Sequence, residues 1–271
     1  MLVLAAFASS CEKTDEPTEE TVTVNITASL LGMENSRSEE NVIEGVVPDI
    51  LHYAVYKANE SKIGSRTNVI GSVSTKNTAG DFTLDLRLVK NQRYMIVFWA
   101  QELKDSSCDP YNRIYDENYH FVVQVDYTKK LTDAYCGQSE IFYATAGTAV
   151  NVTLTRPFAQ LNIKGEEGEG NELVDKVNLT VSKCAKEINL VTMVTMSFEE
   201  VNMVVNSSQG TDNIISQLIL PTGEDVTIGV ELLKEGTPIL SASIPHCPLN
   251  ANYRTNIILP ISANVVNQGE N

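Results

Sequence analysis

Thr21-Val22-Thr23-Val24-Asn25-Ile26-Thr27-Ala28-Ser29-Leu30 alternates without a break. Val22, Val24, Ile26, Ala28 and Leu30 fall on one face, and Thr21, Thr23, Asn25, Thr27 and Ser29 on the other. A period of two marks a strand with one buried face, because successive side chains leave opposite sides of an extended backbone. A helical face starting at Val22 would collect Asn25, Ile26 and Ser29 and would be mixed. The same alternation returns at Phe82, Leu84, Leu86 and Leu88, at Val150, Val152 and Leu154, and at Val177, Leu179 and Val181. Tyr94 to Ala100 reads YMIVFWA, a continuous apolar run suited to a central strand buried on both faces. Further strand signals lie at Leu51–Tyr56, Phe121–Val125, Ile214–Leu220, Val226–Leu233, Ile239–Ile244 and Tyr253–Pro260. Between them stand turn clusters such as TKNTAGD, VKNQR, DSSCDPYN, KGEEGEGNE, SSQGTDN, PTGED and KEGTP. The pattern predicts an all-β chain of antiparallel β-sandwiches. Only Glu187 to Val205, rich in Met and Val, reads equally as a helical turn or an irregular strand.

The chain has 271 residues, enough for one large domain or two ordinary ones. Val150–Leu154 closes one set of strands and Pro157 interrupts the next, so the expected division is 21–155 and 156–271. Lys and Arg number 20 against 35 Asp and Glu, a formal charge of -15. A field of that sign repels phosphate backbones and anionic headgroups, which argues against nucleic-acid binding. Five cysteines are too few for a disulfide-held scaffold. No apolar run approaches the roughly 18 residues of a membrane-spanning helix.

The N-terminus reads MLVLAAFASSC: an apolar run from Leu2 to Ala8, then Ser9, Ser10 and Cys11. An apolar run ending in small residues predicts a secretory signal over residues 1–10. A cysteine directly after the small residues resembles a bacterial lipoprotein signal, with the Cys11 thiol carrying the lipid. Residues 11–20 are acidic, hold one proline and almost no apolar side chain, and read as a flexible tether.

Two segments carry a wider resemblance. They are Val152-Thr153-Leu154-Thr155-Arg156-Pro157-Phe158-Ala159-Gln160-Leu161-Asn162-Ile163 and Asn252-Tyr253-Arg254-Thr255-Asn256-Ile257. With Phe98-Trp99-Ala100-Gln101 and Ile141-Phe142-Tyr143-Ala144, they resemble the fimbrillin-like surface lipoproteins (FimA and Mfa type) of Bacteroides-type bacteria. The resemblance implies two transthyretin-like β-sandwich domains on the outer face of the outer membrane. It implies fimbrial partners that bind by strand exchange. In polymerising members of that family, a protease cuts after an arginine that follows the first strand. The opened groove then takes a strand from another subunit, by main-chain hydrogen bonds and alternating apolar side chains. Here the displaced strand would present Val22, Val24, Ile26, Ala28 and Leu30, and Arg37–Ser38 would be the scissile bond. The alternative is that Arg37 is an ordinary loop charge and the strand stays in place, as in an anchor subunit.

Enzymatic signatures are absent from the sequence. His52, His120 and His246 are far apart and fit no zinc spacing. No G-x-S-x-G, Walker loop or dinucleotide fingerprint occurs. Gly165 to Gly170 (GEEGEG) lacks the calcium-loop ligand pattern and reads as a solvated loop. No cofactor or metal is expected. Cys108, Cys136, Cys184 and Cys247 permit two disulfides in any of three pairings, or four free thiols. Pairing 108 with 136 and 184 with 247 would keep each bridge within one domain. Trp99 lies in the apolar run and reads as core, whereas Tyr111, Tyr115 and Tyr119 flank a polar loop as surface aromatics. The expected function is a non-enzymatic fimbrial subunit or anchor supporting adhesion. The second reading is a surface carbohydrate-binding lipoprotein, which would bind soluble glycan without exchanging a strand.

Overall fold

The computed structural model describes residues 19–31, 47–59, 63–102, 105, 107–166, 171–208 and 213–261. Within them the chain is all β, apart from a short 3-10 turn at Asn171–Leu173. The strands are β1 (Thr21–Leu30), β2 (Ile50–Ala58), β3 (Ile63–Val73), β4 (Phe82–Val89), β5 (Arg93–Gln101), β6 (Tyr111–Tyr115), β7 (Phe121–Val125), β8 (Ala134–Gln138) and β9 (Phe142–Tyr143). They continue as β10 (Ala149–Leu154), β11 (Ala159–Gly165), β12 (Lys176–Asn189), β13 (Val194–Asn206), β14 (Asn213–Ile219), β15 (Val226–Lys234), β16 (Thr237–Cys247) and β17 (Arg254–Leu259).

The strands form two β-sandwiches with the same wiring. In the first, a small sheet ordered β10-β1-β4 faces a larger one ordered β3-β2-β5-β8. In the second, a small sheet ordered β17-β11-β14 faces β13-β12-β15-β16. β1 and β11 each lie centrally, parallel to the last strand of their sandwich and antiparallel to the other neighbour. The first sandwich encloses Val24, Ile26, Ala28, Phe82 and Leu86 against Val55, Ile96 and Phe98. The second encloses Leu161, Ile163 and Ile215 against Leu179, Val181, Ile228 and Val230.

Strand β5 explains why its sequence has no polar face. Its residues Ile96, Phe98 and Ala100 enter the first core. Its residues Met95, Val97 and Trp99 leave by the opposite face and enter a third core. That third core also holds Tyr111, Phe121 and Val123 with Phe158, Ala185, Ile188 and Leu218. Backbone pairing reinforces the connection. The β6–β7 hairpin precedes residue 155 in sequence, yet Val122, Val123 and Gln124 pair with Asn189, Ile188 and Glu187 of β12.

Glu187–Val205 resolves into the end of β12, a turn and β13, with no helix. At the KEGTP cluster, Lys234 pairs with Thr237, leaving a two-residue loop. Its residues Glu235 and Gly236 both have positive φ, 49° and 80°, the requirement of a tight hairpin turn that follows the strand twist.

Candidate functional site

The feature that stands out on the first sandwich is the setting of β1. From Asn25 to Leu30 it pairs with Ala149–Leu154 of β10, and from Thr21 to Ala28 with Phe82–Val89 of β4. Val24, Ile26 and Ala28 are fully buried, and Val22 and Leu30 pack half-buried at the two ends of the row. The opposite face is polar, with Asn25 Nδ2 donating to Asp85 Oδ1 at 2.6 Å. The ends are fastened by backbone bonds: Lys90 N–H to Glu20 O at 2.8 Å and Leu31 N–H to Leu154 O at 2.9 Å. An exposed ion pair, Lys90 with Glu20 at 2.8 Å, adds little in water. β1 therefore fills a slot about two strand spacings wide, roughly 9–10 Å, between β4 and β10. Each wall of that slot is a row of backbone donors and acceptors. Cys11, Arg37 and Ser38, the expected lipidation and cleavage positions, lie outside the described residues.

The two segments of sequence that carry the resemblance meet in space. β11 and β17 are parallel neighbours, with Gln160 opposite Arg254, Asn162 opposite Asn256 and Ile163 opposite Ile257. Their polar face carries an amide row, buried at Gln160 and Asn162 and exposed at Asn256. Gln160 Nε2 donates to Asn162 Oδ1 at 2.8 Å, and Asn162 Nδ2 donates to Asn256 Oδ1 at 2.9 Å. Just before it, Phe158 is fully buried beside Trp99 and Tyr111, with centroids at 6.3 and 5.7 Å. Arg156 Nη2 meets Asp133 Oδ2 at 2.5 Å, with Asp133 buried and Arg156 largely so. Burial pulls the Arg156 pKa down, but the hydrogen bond and charge of Asp133 outweigh it and hold the guanidinium protonated. Arg156 and Phe158 fasten the connection between the sandwiches.

The four cysteines are free thiols, so the 108–136 and 184–247 pairings are absent from the structure. Cys108 is exposed, and the other three are buried. Burial pushes the Cys136 thiol up to about 12. Burial and then the Glu199 carboxylate do the same for Cys184, so neither is a thiolate nucleophile. His52, in β2, is drawn down to about 4 by burial and then by the Arg113 guanidinium, against a smaller opposing pull from Asp109. His120 lies 3.4 Å from Asp116 and 3.1 Å from Asn189. Among the described residues no cluster of His, Cys, Asp or Glu is arranged to hold a metal. Trp99 is fully buried, its Nε1 donating to Gln101 Oε1 at 2.8 Å.

Tyr111 corrects the sequence reading: it is buried, and its hydroxyl donates to the Thr132 carbonyl. The apolar ring lies on the inward face of β6, opposite Val125, and the polar neighbours that suggested a surface loop lie on either side of it. Tyr119 is exposed, and Tyr115 is half-buried under the Arg66 guanidinium, 4.0 Å from its ring centroid.

A family model described as a family of unknown function, DUF6562, matches residues 15–258. No curated protein matches by sequence. Among solved structures, a fimbrial assembly protein from Parabacteroides distasonis superposes with a TM-score of 0.53 at 12% identity, over 90% of this chain and 93% of that one. A proposed adhesin from Bacteroides ovatus gives 0.53 at 12% identity, over 93% and 92%. A proposed polysaccharide-binding protein from Bacteroides thetaiotaomicron gives 0.55 at 10% identity, over 89% and 92%. At these identities the likeness is one of fold.

Proposed function

The chain belongs to the family of unknown function DUF6562, and we propose that it serves as a non-enzymatic fimbrial subunit or anchor on the cell surface. In this reading Cys11 carries a lipid that holds it to the outer membrane, and residues 11–20 are the tether. The two sandwiches divide near residues 155–156. Neighbouring subunits associate by strand donation into the slot of β1, after cleavage between Arg37 and Ser38 frees that strand.

The observation that carries the reading is the setting of β1. It is the first described strand, and it is central in its sheet, with Val24, Ile26 and Ala28 fully buried in its apolar row. Its departure would expose two unpaired strand edges and a row of apolar pockets at once. That is the geometry that β-augmentation requires: main-chain bonds for affinity and alternate side chains for register. A surface strand at a sheet margin would leave one edge and no pockets. Sharing a fold with adhesins and fimbrial proteins agrees with the reading without adding residue-level support.

Arg-specific proteolysis, followed by an SDS gel of unboiled samples, tests it. The reading expects a ladder of multimers whose protomers begin at Ser38. A single monomer band that retains Thr21–Leu30 would mean a permanent first strand and would leave the polymerising role without a basis.

A further inference from the structure

On the outer face of the second large sheet, where β6, β7, β12 and β13 lie side by side, is a groove of about 460 Å3. Its floor is a hydrogen-bonded row that crosses all four strands. Asn112 Nδ2 donates to Gln124 Oε1, Gln124 Nε2 donates to Glu187 Oε1, and Ser197 Oγ donates to Glu187 Oε2, each at 2.8 Å. Lys186 and Glu199, paired at 2.8 Å, border it. Ser197 has a φ of 57°, left-handed and uncommon for a residue other than glycine. It sits where Ala185 pairs with Phe198 and Glu187 with Met196.

We propose that this groove binds a neutral glycan chain, its floor hydrogen-bonding the hydroxyls of successive sugar rings. The chemistry of the floor selects that class. Each amide spends one hydrogen on its neighbour and keeps another, and each carbonyl or carboxylate oxygen keeps a lone pair. Donors and acceptors therefore alternate at the strand spacing of about 4.8 Å, close to the length of one pyranose unit. The row holds each planar group in place before a ligand arrives, which lowers the cost of ordering it. Asp126, Glu187 and Glu199 outnumber Lys186 here, which disfavours anionic ligands. A metal would have to displace the hydrogen bonds that both Glu187 oxygens already accept. The site is separate from the β1 slot, so the two proposals stand or fall independently.

Affinity electrophoresis of the full chain through gels containing mannan, galactomannan, xyloglucan or laminarin tests the assignment. At least one should retard the protein, with Kd rising at least ten-fold in Gln124→Ala and in Ser197→Gly. Glycine adopts the left-handed backbone freely, so Ser197→Gly removes the hydroxyl without compromising the fold. No retardation in any of the four gels would overturn the proposal, as would retardation unchanged in both variants.

Discussion

Arg156 and Asp133 show how much one buried pair can matter. Burial already pushes the Asp133 carboxyl up against the opposing pull of Arg156, and removing one partner strands the other's desolvated polar group, at a cost of about 3–5 kcal/mol. Arg156→Ala should therefore lower the urea midpoint by an amount in that range, and Asp133→Leu combined with Arg156→Met should recover most of it. His52 adds a pH dependence. Its folded pKa of about 4 lies below the ordinary 6.5, so between those values the unfolded chain binds the extra proton. Stability should fall as pH drops through that window, by about 2 kcal/mol for a partly exposed ring. Urea curves between pH 4 and 7 should show a shallower decline for His52→Gln. At this scale the sequence was partly legible. The core position of Trp99 followed from its apolar run. Burial of Tyr111 did not, because its partners Phe158 and Thr132 are distant in sequence. The resemblance singled out Arg156, Phe158, Gln160 and Asn162, and the structure supplies the physical reason: each is buried against or bonded to a residue on another element.

Strands with one clean buried face were the readable ones, and β1 is the extreme case. Ile26→Ala should destabilise the chain by about 2–5 kcal/mol, whereas Thr27→Ala on the polar face should change it by less than about 0.5 kcal/mol; chemical denaturation separates the two. β5 was legible for the opposite reason, being buried on both faces. β3 and β13 gave no comparable signal because neither has a cleanly buried face. Partial exposure along both blurs the alternation: Ile70 of β3 and Val194, Phe198 and Val204 of β13 are exposed. β13 is further irregular at Ser197, with its positive φ. β6 (YNRIY) and β8 (AYCGQ) mix polar residues or glycine into five positions, so neither shows the apolar run that marked β7 (FVVQV).

Across the whole molecule the fold is a repeated wiring diagram, and the repeat clarifies what is special about β1. Its counterpart β11 is held by chain on both sides, between β10 and β12. β1 is the first described strand, so a cut between it and β2 separates it from every other described strand. The copies also differ at one seam. Cys136 and Thr155 exchange backbone bonds of 2.8 and 2.9 Å, tying β8 of the first large sheet to the end of the first small sheet. The sequence did not reveal that the β6–β7 hairpin would pair with β12, since such pairing depends on distant partners. Because the third core draws on both halves, the chain should unfold as one unit. Trp99 fluorescence and far-UV circular dichroism should then give coincident thermal transitions, whereas separated midpoints would show that the halves melt independently.

The central claim is that the slot of β1 accepts a strand supplied in trans. It is tested most directly with a chain carrying an engineered protease site within residues 32–46, cut and stripped of β1 in mild denaturant. A fluorescent peptide of Thr21–Leu30 is then titrated into the refolded protein. Saturable binding that is abolished by Ile26→Asp in the peptide is the predicted result. An empty slot that fails to bind the peptide, or binds the Ile26→Asp peptide equally well, would contradict it.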